Sequence, residues 1–104
     1  MAQWIDVAAA DEIEPGGYRT ISIDDVNVAV FNIDGDFHAI EDVCTHDYAM
    51  LTGGTIEGCE IVCPRHGARF DVRTGAVLTP PAYEDLPTYE VRVANGRVEI
   101  LDDS

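Results

Sequence analysis

The sequence is poor in basic residues: its 104 positions include six Lys and Arg against 20 Asp and Glu, for a formal net charge of −14 at pH 7. A chain with this charge repels nucleic acids and anionic membranes, so we expect neither as a partner. The acidity is consistent with high solubility or with attraction to a basic docking surface on a partner protein. Charge alone does not decide between these two roles.

Segments that would direct the chain to a membrane are also missing from the sequence. No apolar run approaches the length of about 20 residues that spans a bilayer. The N-terminal stretch Met1–Asp6 contains neither a positively charged segment nor an apolar one, so no signal peptide is predicted. We therefore expect a soluble protein. We also expect it to be a monomer.

Long helical periodicity is absent as well, and the pattern predicts a single all-β domain. Alternation of apolar and polar residues predicts strands near residues 3–8, 17–23, 26–30, 36–41, 60–63, 69–72, 76–78 and 88–94, and a returning strand through Val98 and Ile100. Asp34-Gly35 and Asn95-Gly96 are typical of two-residue hairpin turns. One helical turn is expected within residues 8–14. The inward side chains of strand 88–94 are predicted to be Tyr89, Val91 and Val93.

The chemically distinctive residues are two cysteine–histidine pairs, Cys44-Thr45-His46 and, after a gap of sixteen residues, Cys63-Pro64-Arg65-His66. Neither pair resembles the Cys-x-x-Cys unit that binds a single zinc. Residues two apart in an extended segment point to the same side, so Cys44 and His46 can reach two adjacent metal atoms. Cys63 and His66 can do so from the opposite side. Two cysteines on one iron and two histidines on the other form the ligand set of a Rieske [2Fe–2S] cluster.

Two other interpretations of these residues are a structural zinc site and a chance grouping. A zinc module for protein interaction requires one redox-silent metal in tetrahedral geometry. A chance grouping is improbable in a chain with three cysteines and three histidines. We interpret His38 and Cys59 as packing or surface residues. Because the metal motif takes the other two cysteines, Cys59 has no disulfide partner, which favours a reducing, cytoplasmic setting.

The two motifs, together with Pro80-Pro81 and the segment 86–93, closely resemble the Rieske protein family over nearly the whole chain. The resemblance implies a Rieske-like antiparallel β-sandwich base, residues 1–41 and 82–104, with an inserted cluster-binding subdomain, residues 42–81. It implies that Pro80-Pro81 covers the cluster from a third side. It also implies one [2Fe–2S] cluster, whose ligands are Cys44, His46, Cys63 and His66.

Within this family, the chain is similar to the ferredoxins of bacterial aromatic-ring-hydroxylating dioxygenase systems. It lacks the extra cysteines of respiratory Rieske proteins and the second iron site of terminal oxygenases. The resemblance implies a one-electron carrier, not an enzyme, between a flavin-dependent reductase and a terminal oxygenase. A small Rieske subunit of another redox complex, of the nitrite-reductase type, is the alternative. Ala68 and Phe70 stand where high-potential members have serine and tyrosine, which implies a low reduction potential.

Overall fold

The computed structural model describes residues 2–43, 51–52, 54–64, 67–80 and 84–102, and this part of the chain contains ten β-strands and one 3₁₀ turn, Ala10–Glu12. The strands are β1 Gln3–Ala9, β2 Tyr18–Ile23, β3 Val26–Ile33, β4 Asp36–Glu41, β5 Thr55–Glu57, β6 Glu60–Val62, β7 Arg69–Asp71, β8 Thr88–Tyr89, β9 Val91–Ala94 and β10 Arg97–Asp102. All of the pairs between them are antiparallel. The all-β class and the helical turn are therefore confirmed. Among the same residues, no helix has the length and apolar character to cross a membrane.

The strands of the described chain form three sheets, with the orders β1-β10-β9, β2-β3-β4-β8 and β5-β6-β7. We call these the first, second and third sheets. Two predicted hairpin turns are confirmed, since φ is positive at both central residues of each: 54° and 95° at Asp34 and Gly35, and 53° and 74° at Asn95 and Gly96.

Strand β3 is buried on both faces because it lies between two layers. Val28 and Val30 belong to a buried cluster with residues of β10 in the first sheet. Ala29, Phe31 and Ile33 belong to a second buried cluster, with residues of β6 and β7 in the third sheet. A strand covered on both faces is apolar along its length and does not alternate. For this reason β3 runs three residues beyond the segment that alternation predicted.

The prediction of one continuous strand over residues 88–94 is wrong. β8 pairs with β4 in the second sheet, whereas β9 pairs with β10 in the first. The chain changes sheets at Glu90, whose carbonyl accepts a hydrogen bond from the N–H of Leu101 at 2.9 Å. Val93 is 51% exposed although its partner Val98 is fully buried, so its predicted inward position is also wrong. β9 is an edge strand, and Val93 lacks a neighbouring strand on one side.

Two short segments differ from the prediction as well. Alternation does not predict β5, because Thr55–Glu57 contains a single apolar residue, Ile56, between polar neighbours. The predicted strand 76–78 is reduced to one bridge between Val77 and Phe70. Elements this short carry too few residues to show a period of two.

Candidate metal centre

Cys63 follows β6 and begins the turn that leads into β7. Its backbone N–H donates to the carbonyl of Ala68 at 2.7 Å, and its own carbonyl accepts from the N–H of Gly67 at 3.0 Å. Gly67 has a φ of 76°, in the left-handed region that glycine adopts without a steric penalty. These bonds join Cys63, the first residue of the second motif, to the two residues that follow the motif. Residues 65 and 66 of that motif, and with them His66, lie outside the described residues.

The side chain of Cys63 is buried and free. It is 2% exposed and lies in the same buried cluster as Leu51, Ala68 and Leu86. The structure describes one other cysteine, Cys59, which is half-buried against the same cluster, and neither forms a disulfide. Apolar surroundings limit the access of solvent to an iron–sulfur centre. An unpaired thiol at a tight turn in such surroundings fits an iron ligand.

The first motif, with Cys44 and His46, lies outside the described residues, so the positions of these ligands remain predictions. The residues that follow it are described. Leu51 shares the buried cluster of Cys63. Gly54 lies so close to β6 that a Cβ atom there would overlap the carbonyl oxygen of Val62 and would be 3.2 Å from Cδ of Pro64. The fold therefore places Gly54, which follows the first motif in the sequence, against Pro64 of the second motif.

The segment that contains Pro80-Pro81 is attached at both ends near β7. The N–H of Arg69 donates to Oγ1 of Thr79 at 2.9 Å. The N–H of Leu86 donates to the carbonyl of Gly75 at 2.7 Å. Gly75 has no space for a side chain, because a Cβ atom there would overlap the carbonyl oxygen of Leu86. The segment is therefore anchored beside the second motif, while Pro81 lies outside the described residues and the covering role of the prolines stays a prediction.

Other candidate metal ligands form no competing site in the part of the chain that the structure describes. His38 is half-buried in β4, directly across from Phe31 in β3. No group of three or more Cys, His, Asp or Glu able to hold a metal occurs among the described residues, which include one of the four predicted ligands. A cavity of about 380 Å³, lined by residues that include Ile23, Tyr89 and Leu101, contains no cysteine or histidine, so it is not the metal centre.

The positive charges of the chain are largely engaged in ion pairs on its surface. In the part of the chain that the structure describes, four arginines pair with carboxylates: Arg69 with Glu57 and Glu60, Arg73 with Asp71, Arg92 with Glu99, and Arg97 with Asp6. The hydrogen bond from Arg73 lowers the pKa of the Asp71 carboxyl from its ordinary value. The sequence contains no lysine. Since few cations remain, the surface presents a net negative potential to any partner.

Asp42 is a buried residue that the sequence does not distinguish from the other acidic residues. The residue is 3% exposed, and its side chain accepts hydrogen bonds from Leu51 and Thr52, which follow the first motif in the sequence. The one feature that could have drawn attention to Asp42 is its position, two residues before Cys44 and directly after β4. Alternation and motif spacing assign no role to it.

Comparisons with known proteins place these features in a family. The sequence matches the Rieske [2Fe-2S] domain over residues 3–90. The ferredoxin component of the naphthalene 1,2-dioxygenase/salicylate 5-hydroxylase systems of Ralstonia sp is 39% identical over 95 residues, which cover 91% of each chain. A similar chain occurs in the structure of the complex of reduced oxygenase and oxidised ferredoxin in carbazole 1,9a-dioxygenase. Its TM-score is 0.89 and its sequence identity is 38%, and the match covers 93% of this chain and 91% of that one. A protein described as the small subunit of an NADH-dependent nitrite reductase from Mycobacterium tuberculosis has a TM-score of 0.87 and 25% identity, covering 100% of this chain and 98% of that one.

These comparisons confirm the predicted cofactor and the predicted class of protein. The cofactor is one [2Fe–2S] cluster, which the pairs of cysteine and histidine in the sequence fit. The ferredoxin relative is an electron-transfer component of its oxygenase system and not the catalytic component. The structural zinc interpretation is set aside, because the matched domain binds iron and sulfide. The chain belongs to the Rieske [2Fe–2S] domain family, as an electron carrier and not an enzyme.

Proposed function

We propose that this chain carries one electron at a time from a flavin-dependent ferredoxin reductase to the terminal oxygenase of an aromatic-ring-hydroxylating dioxygenase system. The observation that carries the proposal is the 39% identity, over 91% of both chains, to a dioxygenase ferredoxin. The related carbazole dioxygenase ferredoxin forms a complex with its oxygenase, which supports an oxygenase as the electron acceptor. The reductase is proposed as the donor from the resemblance to these multicomponent systems.

We assign the cluster ligands to Cys44, His46, Cys63 and His66, with the cysteines on one iron and the histidines on the other. The buried, unpaired thiol of Cys63 supports this assignment. When bound, a [2Fe–2S] cluster accepts and releases one electron. Four protein ligands leave no open iron position for a substrate, so the proposed site suits electron transfer and not substrate chemistry.

The proposed division of the chain is a base of residues 1–41 and 82–104 and a cluster-binding subdomain of residues 42–81. Two observations support it. The first and second sheets take their strands from both ends of the chain, while β5, β6 and β7 form a sheet of their own. β3 and β4 then provide the apolar face on which the third sheet packs.

The charge supports a carrier that docks on basic surfaces of its partners. Four of the six arginines are paired within the chain, and its net charge is −14. Complementary charge accelerates the encounter of two proteins and suppresses binding to wrong partners. We propose a cytoplasmic monomer that binds the reductase and the oxygenase in turn and does not bind nucleic acid.

A second candidate function is that of a small subunit in a nitrite-reductase-type complex. The similarity in fold to such a subunit, over the whole of this chain, favours it. Its 25% identity is lower than the 39% shared with the dioxygenase ferredoxin, so it ranks second. A subunit would copurify with a large catalytic partner, whereas a diffusing ferredoxin would not.

Reconstitution tests the proposal. The cluster-loaded protein is combined with the reductase and oxygenase of a naphthalene or carbazole dioxygenase system, and NADH-dependent product formation is measured. We expect product to require this chain and to disappear with the Cys63→Ala variant. We also expect the rate to fall about tenfold as the ionic strength rises from about 0.02 to about 0.5 M, because salt screens the attraction between exposed charges.

The control is reduction of the same protein by a small uncharged reductant, whose rate should not depend on salt. No product with a fully loaded protein in either system would contradict the dioxygenase assignment. A rate with the reductase that is independent of salt would show that the acidic surface serves solubility alone.

A further inference from the structure

Asp42 is a buried carboxylate at the base of the segment that carries the first cysteine–histidine pair. It follows β4 directly, and the residue is 3% exposed. Its backbone N–H donates to the carbonyl of Asn27 at 2.8 Å, which attaches it to the start of β3. A buried carboxylate is unfavourable unless hydrogen bonds compensate for the lost hydration. The partners of the Asp42 side chain therefore indicate its role.

Both carboxylate oxygens of Asp42 accept hydrogen bonds from residues beyond the motif. Oδ1 accepts from the N–H of Leu51 at 2.8 Å and from the N–H of Thr52 at 2.9 Å. Oδ2 accepts from the hydroxyl of Thr52 at 2.8 Å. These bonds join residues nine and ten positions apart in the sequence. A single side chain thus connects the start and the end of the segment between Asp42 and Leu51.

This closed segment contains Cys44 and His46. Closing a segment at its base reduces the number of conformations that metal binding would otherwise have to restrict. Leu51 also lies in the buried cluster that includes Cys63. The hydrogen bonds of Asp42 therefore hold the two ends of this segment together, and its Leu51 end lies in the buried cluster of Cys63.

We propose that Asp42 is a positioning residue for the [2Fe–2S] cluster: its carboxylate holds both ends of the segment that bears Cys44 and His46, so that these ligands are presented to the irons together with the second pair. The inference rests on the ligand assignment in the proposed function. Residues that orient metal ligands typically change metal affinity about 10-fold to 100-fold when they are replaced.

The test measures the rate at which a chelator removes iron from the cluster-loaded protein. Visible absorption and electron paramagnetic resonance monitor the loss of the cluster. Asp42→Ala removes all of the acceptors, and we expect iron release to become about 10–100 times faster. Asp42→Asn keeps an oxygen for the two backbone N–H groups, and its amide can donate to the hydroxyl of Thr52. We expect it to restore slow release and the wild-type resonance signal. Release from Asp42→Asn as fast as from Asp42→Ala would overturn the positioning role.

Two further comparisons keep the test valid if Asp42→Ala does not fold. Thr52→Val removes the hydroxyl that binds Oδ2 and should accelerate iron release, whereas Thr52→Ser keeps the hydroxyl and should behave as wild type. Asp36→Ala removes the same charge from an exposed position at the other end of β4 and should also behave as wild type.

The outcomes separate the inference from the proposed function. Wild-type release rates in every folded variant, Thr52→Val included, would overturn the role of Asp42 and leave the ligand assignment intact. A wild-type protein that holds no [2Fe–2S] cluster would contradict the proposed function itself.

Discussion

Cys63→Ala is expected to abolish binding of the [2Fe–2S] cluster, while Cys59→Ala is expected to leave it intact. The two cysteines lie on either side of β6, and both contact the same buried cluster. Removing a packing thiol leaves every iron ligand in place, whereas removing a ligand thiolate leaves one iron without its full coordination. Iron and acid-labile sulfide should fall from about two of each per chain to background in Cys63→Ala only.

The histidines provide a second matched comparison. His46→Ala and His66→Ala should abolish the paramagnetic resonance signal of the reduced protein, whose low average g value arises from imidazole ligation of one iron. His38→Ala should retain the signal, because His38 is in β4 across from Phe31 and is not part of either motif. Loss of the cluster in His38→Ala, or full iron content in Cys63→Ala, would show that the ligand assignment is wrong. A colourless protein with one zinc would restore the structural zinc interpretation.

The reduction potential of the wild-type protein is expected near the low end of the Rieske range, which extends from roughly −150 to +300 mV. High-potential members of the family have serine and tyrosine hydroxyls that donate to cluster sulfurs, and this chain has Ala68 and Phe70 at those positions. Both residues are fully buried, and the carbonyl of Ala68 accepts the hydrogen bond from the N–H of Cys63. The acidic surface acts in the same direction, because it disfavours the addition of negative charge.

The double variant Ala68→Ser, Phe70→Tyr should therefore raise the potential. A hydrogen bond to a charged acceptor contributes about 1.5–3 kcal/mol, of which only the part gained on reduction changes the potential. If that part is about 1 kcal/mol for each hydroxyl, the shift is about 40 mV per hydroxyl and about 80 mV for both, since 59 mV corresponds to about 1.4 kcal/mol for one electron. Protein-film voltammetry measures the shift directly.

The chain contains a matched control for this variant. Ala29 and Phe31 have the same spacing, are also fully buried and belong to the same buried cluster as Ala68 and Phe70. Ala29→Ser, Phe31→Tyr introduces the same two hydroxyls from β3, outside the turn that begins at Cys63. We expect it to lower stability without raising the potential. A wild-type potential well above zero, or equal shifts in the two double variants, would contradict this explanation.

Several properties of the protein follow from residue types and short spacings in the sequence. The two cysteine–histidine pairs predict a [2Fe–2S] cofactor because the donor atoms themselves determine which metals they bind, and the family match confirms it. The hairpin turns at Asp34-Gly35 and Asn95-Gly96 were predictable because the backbone preferences of these residues are local. The positions of Cys44, His46 and His66 remain predictions, since they lie outside the described residues.

Other properties depend on contacts between residues that are far apart in the sequence. Alternation indicates that residues 88–94 are extended, but it does not show that the chain changes sheets at Glu90, because each half pairs with a different distant strand. Burial of both faces of β3 likewise depends on distant strands. Residues of β10, near the end of the chain, cover one face, and residues of β6 and β7, from its middle, cover the other.

The sequence by itself determined the all-β class, the cofactor and the acidic surface, because alternation, donor chemistry and charge are properties of the residues and their near neighbours. Only the tertiary structure decided that Asp42, among the acidic residues that the structure describes, is buried at the start of a ligand segment. Asp42 acquires that place through hydrogen bonds to Leu51 and Thr52 and through the layer of β3 and β4 beside it. Such contacts form only when the chain has folded, so a one-dimensional pattern does not contain them.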